Sequence, residues 1–219
     1  MRRILRVAFS ALCCLLVATV SAWSQCRILT FDDGPLPPWT DKVLGALKQA
    51  NVKATFFVVG KMARAYPDTL KRIVAEGHEL GVHSDTHPLG FEHLTEAQVR
   101  KEFADADATI KKIVGFVPRI VRIPGGANSR AIRAELKGRI IVGWGKHSDP
   151  EDWKYRDTKR TVHVVSAMPP DEILLLHDIV PTTSVSVSAI LANYQQKGSR
   201  FITVTEFLNG ACAPRIAGK

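Results

Sequence analysis

Beyond the first two dozen residues, short runs of apolar and β-branched residues alternate with longer segments whose apolar residues recur at helical spacing. Residues 54–59 read ATFFVV, and the segment 67–77 that follows places Leu70 and Ile73 on one helical face. Strands that alternate with helices are joined by crossovers, which build a parallel sheet covered by helices. We therefore predict a single α/β domain whose strands close into a barrel or a distorted barrel.

The apolar runs and the amphipathic segments give a full set of predicted elements. The predicted strands cover residues 27–31, 54–59, 80–83, 120–123, 140–142, 173–176 and 201–204. The predicted helices cover residues 42–50, 67–77, 95–114, 158–167 and 184–197. Thr95 with Gln98 three residues later is a typical helix start. With 219 residues, 46% of them hydrophobic, the chain is large enough to bury a core of its own.

The N-terminal segment has the composition of a secretory signal peptide. Three arginines precede an apolar run at residues 7–20, and small residues follow at 21, 22 and 24. The run is shorter than the roughly 20 residues that span a bilayer. We therefore predict that residues 1–24 are a cleaved leader and that 25–219 form an exported domain, periplasmic or extracellular, with no stable membrane insertion. An uncleaved membrane anchor is the alternative.

The charge of the chain argues against a nucleic-acid partner. The formal net charge is +9, and it falls to +6 without residues 1–24, because that segment holds three arginines and no acidic residue. The remaining basic residues are spread along the chain without a dense run, which is typical of a solvated surface. We expect no nucleic-acid partner and at most a bias toward anionic envelope surfaces.

Two of the four cysteines lie in the predicted leader, and the other two lie near the ends of the exported domain. Cys26 and Cys212 would meet an oxidising environment after export. We therefore hypothesise a disulfide that joins the two ends. The alternative is a pair of unbonded thiols that behave as small hydrophobic residues.

Ionisable residues directly follow several of the predicted strands. Asp32 and Asp33 follow the first strand, His83 and His87 belong to the end of the third, and His177 follows the sixth. The carboxyl ends of parallel strands meet at one edge of the sheet, and this edge carries the chemistry in barrels of this type. The sequence therefore predicts an active site there.

Two histidines and a carboxylate make a ligand set for zinc. His83 and His87 are four residues apart, so on a helical turn their imidazoles would lie on one face, although such pairs are more often ordinary surface residues. A carboxylate from Asp32 or Asp33 adds a third ligand and leaves one position open for water. The second acid would stay free to accept a proton from this water. On its own, the sequence Asp-Asp-Gly-Pro is equally typical of a turn.

A hydrolytic site also needs a second proton carrier to serve the leaving group. His177 follows an apolar run, where burial and a neighbouring carboxylate would tune the pKa of its imidazole toward neutrality. The alternative for His177 is a core histidine whose hydrogen bonds are all satisfied within the fold.

Taken together and in this order, these motifs resemble the polysaccharide deacetylase family, which has the NodB-homology fold of carbohydrate esterase family four. The sequence TFDDGP at residues 30–35 and the sequence HSDTH at 83–87 carry most of the resemblance. Weaker matches lie at residues 52–60 and 73–81, and the likeness extends from about residue 28 to residue 208. The resemblance implies a distorted (β/α) barrel and makes residues 25–219 the catalytic domain.

The resemblance also implies a role for each residue of the centre. It makes Asp33, His83 and His87 the ligands of a divalent metal, Asp32 the general base and His177 the general acid. Two histidines and one carboxylate favour Zn²⁺ as the cofactor, and Co²⁺ or Ni²⁺ would fit the same ligands.

Further matches to the family surround this centre. Arg122 matches the arginine that orients the base, and Asp152 matches the acid that supports the histidine or the arginine. Trp153 matches a wall of the substrate pocket, and Leu175 matches the apolar residue beside the acetyl methyl group. The backbone N–H of Gly125 takes the position of the family's oxyanion donor.

One stretch departs from the pattern of the family. After the arginine the family commonly has a Pro-Tyr pair, whereas this chain has Pro124, Gly125 and Gly126. The oxyanion donor is a backbone group and survives this change, but the aromatic ring that contacts the sugar is missing. The departure predicts an atypical substrate preference.

The expected reaction is the hydrolytic removal of acetyl groups from N-acetylated sugars of a glycan, with release of acetate. An exported enzyme meets peptidoglycan or a chitin-like polymer in the cell envelope, so an acetylated glycan is the expected partner. Nothing in the sequence indicates a second subunit, and we expect a monomer. The alternatives are an O-acetyl polysaccharide esterase and a catalytically silent glycan-binding module.

Overall fold

Parallel strands form the sheet of the structure, a computed structural model that describes residues 25–212. They are β1 (Cys26–Asp32), β2 (Thr55–Val58), β3 (Glu79–Val82), β4 (Ile120–Val121), β5 (Ile140–Ile141), β6 (Ile173–His177) and β7 (Arg200–Phe201). Their order in the sheet is β5-β4-β3-β2-β1-β6, with β7 paired to the beginning of β1. All pairings are parallel, so the carboxyl ends of the strands share one edge.

The gap between β5 and β6 is bridged by irregular backbone hydrogen bonds. The amide of Gly145 donates to the carbonyl of Ile173 at 3.0 Å, and the amide of Leu175 donates to the carbonyl of Ser148 at 2.9 Å. The segment after β5 therefore continues the sheet to β6 without a regular ladder. The predicted distorted barrel is confirmed.

Helices cover the outside of the sheet. Within residues 25–212 they are α1 (Trp39–Ala50), α2 (Gly60–Ala65), α3 (Pro67–Ala75), α4 (Glu96–Val114), α5 (Arg130–Glu135), α6 (Asp152–Tyr155), α7 (Thr158–Ala167), α8 (Pro181–Gln196) and α9 (Val204–Leu208). The long helices agree with the predictions to within a few residues. Thr95 and Gln98 form the predicted capping box before α4. Every helix in this range is too short or too polar to span a bilayer.

The shortest helices were not predicted, and one predicted strand is partly wrong. The helices α2, α5 and α6 contain six, six and four residues, which is too few for an amphipathic repeat to stand out. The strand predicted at residues 201–204 ends at Phe201. The side chain of Thr203 then accepts a hydrogen bond from the amide of Glu206 and starts α9.

The core lies between β1 and β2 and the helices that pack on them. Phe31 of β1 and Phe56 of β2 are buried and stack with their ring centroids 5.1 Å apart. Leu44 of α1 and Ile190 of α8 are equally buried in the same apolar cluster. Each such side chain contributes about 1.5–3 kcal/mol by leaving water, so the sheet edge is held on a rigid base.

A disulfide joins the first strand to the end of the described chain. Cys26 opens β1, and its sulfur is bonded to that of Cys212, with the two Cα atoms 6.0 Å apart. The hypothesis of an end-to-end disulfide is therefore met by the structure. The predicted leader, residues 1–24, lies outside the described residues.

Candidate active site

Three potential metal ligands converge at the carboxyl edge of β1 and β3. The Oδ1 atom of Asp33 lies 3.5 Å from Nε2 of His83 and 3.5 Å from Nε2 of His87. The ligand atoms of all three residues lie within 4.8 Å of one another. Nitrogen and oxygen ligands of one tetrahedral zinc ion are separated by about 3.4 Å, so the spacing fits a shared cation.

The environment of Asp33 supports the same interpretation. Its Oδ1 atom is buried and has no hydrogen-bond partner among the described residues, which is costly for a carboxylate unless a cation occupies the space. Asp33 and His87 also adopt the left-handed backbone region, with φ angles of 76° and 53°. This region is unfavourable for residues other than glycine, and such strain concentrates at functional sites.

The two histidines do not lie on a helical turn, which corrects the geometry expected from their spacing. The strand β3 ends at Val82, and the chain then bends irregularly, with Ser84 at a φ of 63° and His87 also at a positive φ. The bend brings the rings of His83 and His87 together, with centroids 5.0 Å apart. Their pairing was predicted correctly from a wrong local structure.

The tautomer of His83 suits metal binding. Its Nδ1 atom lies 2.8 Å from the backbone carbonyl of Arg122, which can only accept, so Nδ1 carries the hydrogen and Nε2 keeps its lone pair. Burial lowers the pKa of His83 to about 3. The nearby charge of Asp33 raises this pKa, but its effect is smaller than that of burial. The imidazole is therefore neutral at physiological pH, as a ligand must be.

Asp32 lies beside this cluster but is held by an arginine. Its Oδ1 atom lies 2.7 Å from Nη1 of Arg122, and its Oδ2 atom lies 3.6 Å from Nε2 of His83. Burial raises the pKa of Asp32 above its ordinary value, and the charge and hydrogen bond of Arg122 oppose this rise. The result is a carboxylate that is desolvated, oriented and next to the three potential metal ligands.

The guanidinium of Arg122 is fully buried and fixed from several directions. It donates to the hydroxyl of Thr30 at 2.7 Å and to the carbonyl of Gly143 at 2.9 Å, and it stacks over the ring of Phe57 at 4.1 Å. Arg122 therefore has little freedom to move, and its orientation determines that of Asp32.

His177 is placed across from Asp32 by strand pairing. The two residues are direct partners in the register of β1 and β6. The Nδ1 atom of His177 lies 2.7 Å from Oδ1 of Asp152, whose Oδ2 accepts from the amide of His177 at 2.9 Å and from the hydroxyl of Thr183 at 2.6 Å. Burial alone would lower the pKa of His177, but the hydrogen bond and charge of Asp152, with Asp32 and Asp33, raise this pKa to about 9.

The remaining residues predicted from the resemblance lie around this centre. Leu175 is buried two positions before His177, on the same face of β6. Trp153 is half exposed at the start of α6, directly after Asp152. Gly125 is exposed in the short 3₁₀ turn Pro124–Gly126 that follows β4. The roles of these residues toward a sugar remain predictions.

Sequence reasoning missed a buried acid that supports the metal-ligand loop. The Oδ2 atom of Asp178 accepts from the hydroxyl of Thr40 at 2.5 Å, and the carboxyl group packs so closely on Gly34 that a Cβ there would overlap it. Burial, assisted by the charge of Asp33, raises the pKa of Asp178 to about 7. The signal was available, because Asp178 directly follows His177 in the sequence.

Asp85, between His83 and His87 in the sequence, does not belong to the cluster of potential metal ligands. Its carboxylate is buried and receives two hydrogen bonds from the guanidinium of Arg64, at 2.6 and 2.8 Å. This ion pair connects the loop at residues 83–87 to α2. Asp85 therefore has a structural explanation that does not involve the cation.

The sequence profile described as "Polysaccharide deacetylase" matches residues 22–138, which is more than half of the chain. The chain belongs to the polysaccharide deacetylase family. Among solved structures, a family 4 acetyl xylan esterase from Clostridium thermocellum in complex with a cobalt ion has a TM-score of 0.79 and 32% identity, covering 87% of this chain and 93% of the other.

Two relatives in the family act on peptidoglycan by name. The peptidoglycan-N-acetylmuramic acid deacetylase PdaC of Bacillus subtilis is 37% identical over 86% of this chain and 40% of its own length, and its solved structure has a TM-score of 0.80. A peptidoglycan-N-acetylglucosamine deacetylase of Bacillus cereus is 36% identical over 82% of this chain and 86% of its own length. The chain thus spans only about two fifths of PdaC.

Proposed function

We propose that this protein is a metal-dependent hydrolase that removes acetyl groups from N-acetylated sugars of a glycan. The observation that carries the proposal is the convergence of Asp33, His83 and His87 with a further carboxylate, Asp32, that is held by Arg122 instead of the ligand cluster. Hydrolysis needs both a cation site and an unligated base, and the two lie next to each other here.

The cofactor in this proposal is a divalent cation held by Asp33, His83 and His87. The spacing of the ligand atoms, the neutral His83 and the unpartnered Oδ1 of Asp33 all suit such an ion. When bound, it would supply Lewis-acid chemistry, polarising the acetyl carbonyl and making water more acidic. Zn²⁺ is the proposed metal, with Co²⁺ or Ni²⁺ compatible with the same ligands.

The proton transfers are assigned to two residues on neighbouring strands. Asp32 accepts a proton from the attacking water as the bond from the water oxygen to the acetyl carbon forms. His177, protonated because of its raised pKa, donates a proton to the sugar nitrogen as the carbon–nitrogen bond breaks. The products are acetate and a free amino sugar. Arg122 and Asp152 act as positioning residues for the base and the acid.

The substrate contacts are assigned to residues around the centre. The N–H of Gly125 would donate to the oxyanion, Leu175 would contact the acetyl methyl group, and Trp153 would form a wall for the sugar. Supporting this assignment, Leu175 shares a strand face with His177, and both Gly125 and Trp153 are accessible to solvent.

The proposed substrate class is an N-acetylated glycan of the cell envelope, such as peptidoglycan. The names of the relatives from Bacillus subtilis and Bacillus cereus support it. Residues 1–24 as a secretory leader and 25–219 as the catalytic domain agree with this location, and a disulfide between Cys26 and Cys212 suits an exported protein. We propose that the mature protein acts outside the cytoplasm as a monomer.

A second candidate activity is the removal of O-acetyl groups from a polysaccharide. The similarity to the acetyl xylan esterase from Clostridium thermocellum supports it, because the same base and cation would serve an ester. Acetate release from N-acetylated and O-acetylated oligosaccharides, with and without added divalent metal, separates the two activities. Release from N-acetylglucosamine oligomers that a chelator abolishes is expected. No release from either substrate with any metal would contradict both.

A further inference from the structure

A cavity of about 350 Å³ lies beside the catalytic centre, at the carboxyl ends of β4 and β5. We call it the β4–β5 cavity, and Arg122, Ile132, Arg133, Ile141 and Trp144 are among its lining residues. Arg122 and Ile132 are buried at its base, whereas Arg133 and Ile141 are exposed at its rim. The cavity is therefore both apolar and accessible.

The β4–β5 cavity and the proposed base share one neighbour. The guanidinium of Arg122 contacts Asp32 at 2.7 Å, and Arg122 is also among the residues that line the cavity. Arg122 therefore links the cavity to the base. We expect a group bound in the cavity to be a substituent of the sugar residue whose acetyl group is being removed, or of its neighbour.

The two glycines that depart from the family pattern lie next to this cavity. A Cβ on Gly125 would meet no heavy atom of the described residues within 4 Å. A Cβ on Gly126 would lie 2.9 Å from Cη2 of Trp144, so any other residue there would force the indole to shift. Gly126 itself lines the cavity.

The β4–β5 cavity carries a positive charge that no acidic residue in its lining neutralises. Arg122 and Arg133 line it, and no acidic side chain does. Arg122 is neutralised by Asp32, whereas Arg133 forms no ion pair within residues 25–212 and donates only to the neutral Oδ1 of Asn128, at 2.6 Å. An unpaired guanidinium beside Ile132 and Ile141 is complementary to a carboxylate on a short carbon stem.

We infer that the β4–β5 cavity binds the carboxylate-bearing substituent of an acidic acetylated sugar, and that Arg133 is the residue that recognises it. The inference rests on the proposed function for the identity of the substrate as a glycan. N-acetylmuramic acid has the required chemistry, because an ether oxygen on its ring carries a single carbon that bears both a methyl group and a carboxylate. Neutral N-acetylglucosamine leaves the cavity empty.

The test is a binding measurement that does not depend on turnover. A peptide-free tetrasaccharide of alternating N-acetylglucosamine and N-acetylmuramic acid is titrated calorimetrically into the protein, in parallel with the same compound whose carboxyl groups have been converted to neutral amides. We expect the free acid to bind about tenfold more tightly, because a charge-assisted bond is lost in the amide. Arg133→Gln should abolish this difference.

Arg130→Gln is the matched control, since Arg130 lies one turn earlier on α5 and does not line the cavity. It should retain the tenfold preference. Equal affinity of the unmodified protein for both compounds would overturn the inference, and so would an equal loss in the two arginine variants. Acetate release from the muramic acid tetrasaccharide and from neutral oligomers is measured separately, with added divalent metal. Its absence from both, with the preference for the free acid intact, would reject the proposed function and not the carboxylate site.

Discussion

The carboxylate of Asp32 and the guanidinium of Arg122 form a buried ion pair with 2.7 Å between Oδ1 and Nη1. Both side chains are buried, so the charge of each is stabilised by the other rather than by water. Residue 32 precedes a metal-ligand candidate and residue 122 follows β4, so the pair also links two distant strand ends. It therefore affects both stability and the proposed chemistry.

Removal of Arg122 should destabilise the fold strongly. Arg122→Met leaves Asp32 buried without a counter-charge, and we expect the free energy of unfolding to fall by about 3–5 kcal/mol in urea titrations. Arg100→Met is the control, because Arg100 pairs with Glu135 at a similar distance, 2.6 Å, but on the surface. Similar losses of stability in the two variants would show that burial does not determine how much the Asp32–Arg122 pair contributes to the free energy of unfolding.

Replacement of the proposed base should remove turnover and leave the cation. In Asp32→Asn the shape is kept but the side chain no longer accepts a proton, so we expect kcat to fall about 10²- to 10⁴-fold. Elemental analysis should still find one metal ion per chain. Asp41→Asn, on the half-exposed first turn of α1, should change neither value. Retained turnover in Asp32→Asn would eliminate this residue as the base.

The pH profile should report on Asp152. The pKa of His177 is raised from 6.5 to about 9, so the proposed acid is protonated below this value and activity should decline as the pH rises through about 9. Asp152→Asn removes the main cause of the increase, and the alkaline limb of kcat/KM should move to lower pH. Asp149→Asn should leave the limb in place, because the carboxylate of Asp149 accepts a hydrogen bond from the amide of Glu151 and forms no hydrogen bond or ion pair with His177 among the described residues. An unshifted limb in Asp152→Asn contradicts the assignment.

The same pKa shift has a consequence for stability. A histidine whose pKa is higher in the folded state stabilises the fold by binding a proton more tightly there. This contribution is complete below pH 6.5, the ordinary value, and is lost as the pH rises through about 9. Urea unfolding measured across this range should therefore show a stability that decreases toward high pH in the unmodified protein and less so in Asp152→Asn.

Zinc should stabilise the protein through its proposed ligands. We expect the thermal midpoint of the metal-free protein to rise when zinc is added, since the ion binds only the folded state. His87→Ala should weaken zinc binding by at least about 100-fold, because loss of a ligand costs more than loss of a supporting hydrogen bond. His93→Ala, with an exposed imidazole outside the cluster, serves for comparison. Equal zinc contents in both variants would refute the ligand set.

The disulfide should contribute substantially to stability. Its cysteines are 186 residues apart, so it restricts a large part of the unfolded chain, and we expect the double variant Cys26→Ser, Cys212→Ser to lose about 2–5 kcal/mol. Urea unfolding without reductant measures this difference. Non-reducing mass spectrometry of the unmodified protein should detect no free thiol at either position.

Much of this architecture could be predicted from local patterns. The continuous apolar run at residues 54–59 indicates a buried strand, and the spacing of apolar residues at 158–167 indicates a helix. Both elements form where expected. The three candidate ligands stood out because Asp33, His83 and His87 each follow a buried strand in characteristic motifs, and the structure brings them together. Strand ends of a parallel sheet meet whatever the intervening helices do, so the cluster does not depend on exact boundaries.

Other features depend on contacts between distant segments and were not predictable. Thr183 donates a hydrogen bond to Asp152, which lies 31 residues earlier in the sequence. Trp144, which follows β5, packs against Gly126, which precedes β5. The bend between His83 and His87 depends on positive φ angles at residues that are not glycine. No periodic pattern in the sequence predicts these arrangements. Tertiary packing, rather than local conformational preference, stabilises the strained backbone.

The bond between Cys26 and Cys212 makes the backbone between them a covalent ring. A protease that cuts a single exposed loop within this ring opens it but releases no fragment, because each new end is still attached through the sulfur bridge. The segments at residues 33 and 83–87 would stay tethered to β6 and could re-pair without diffusing apart. A first cleavage that would divide an open chain in two therefore leaves this molecule in one piece.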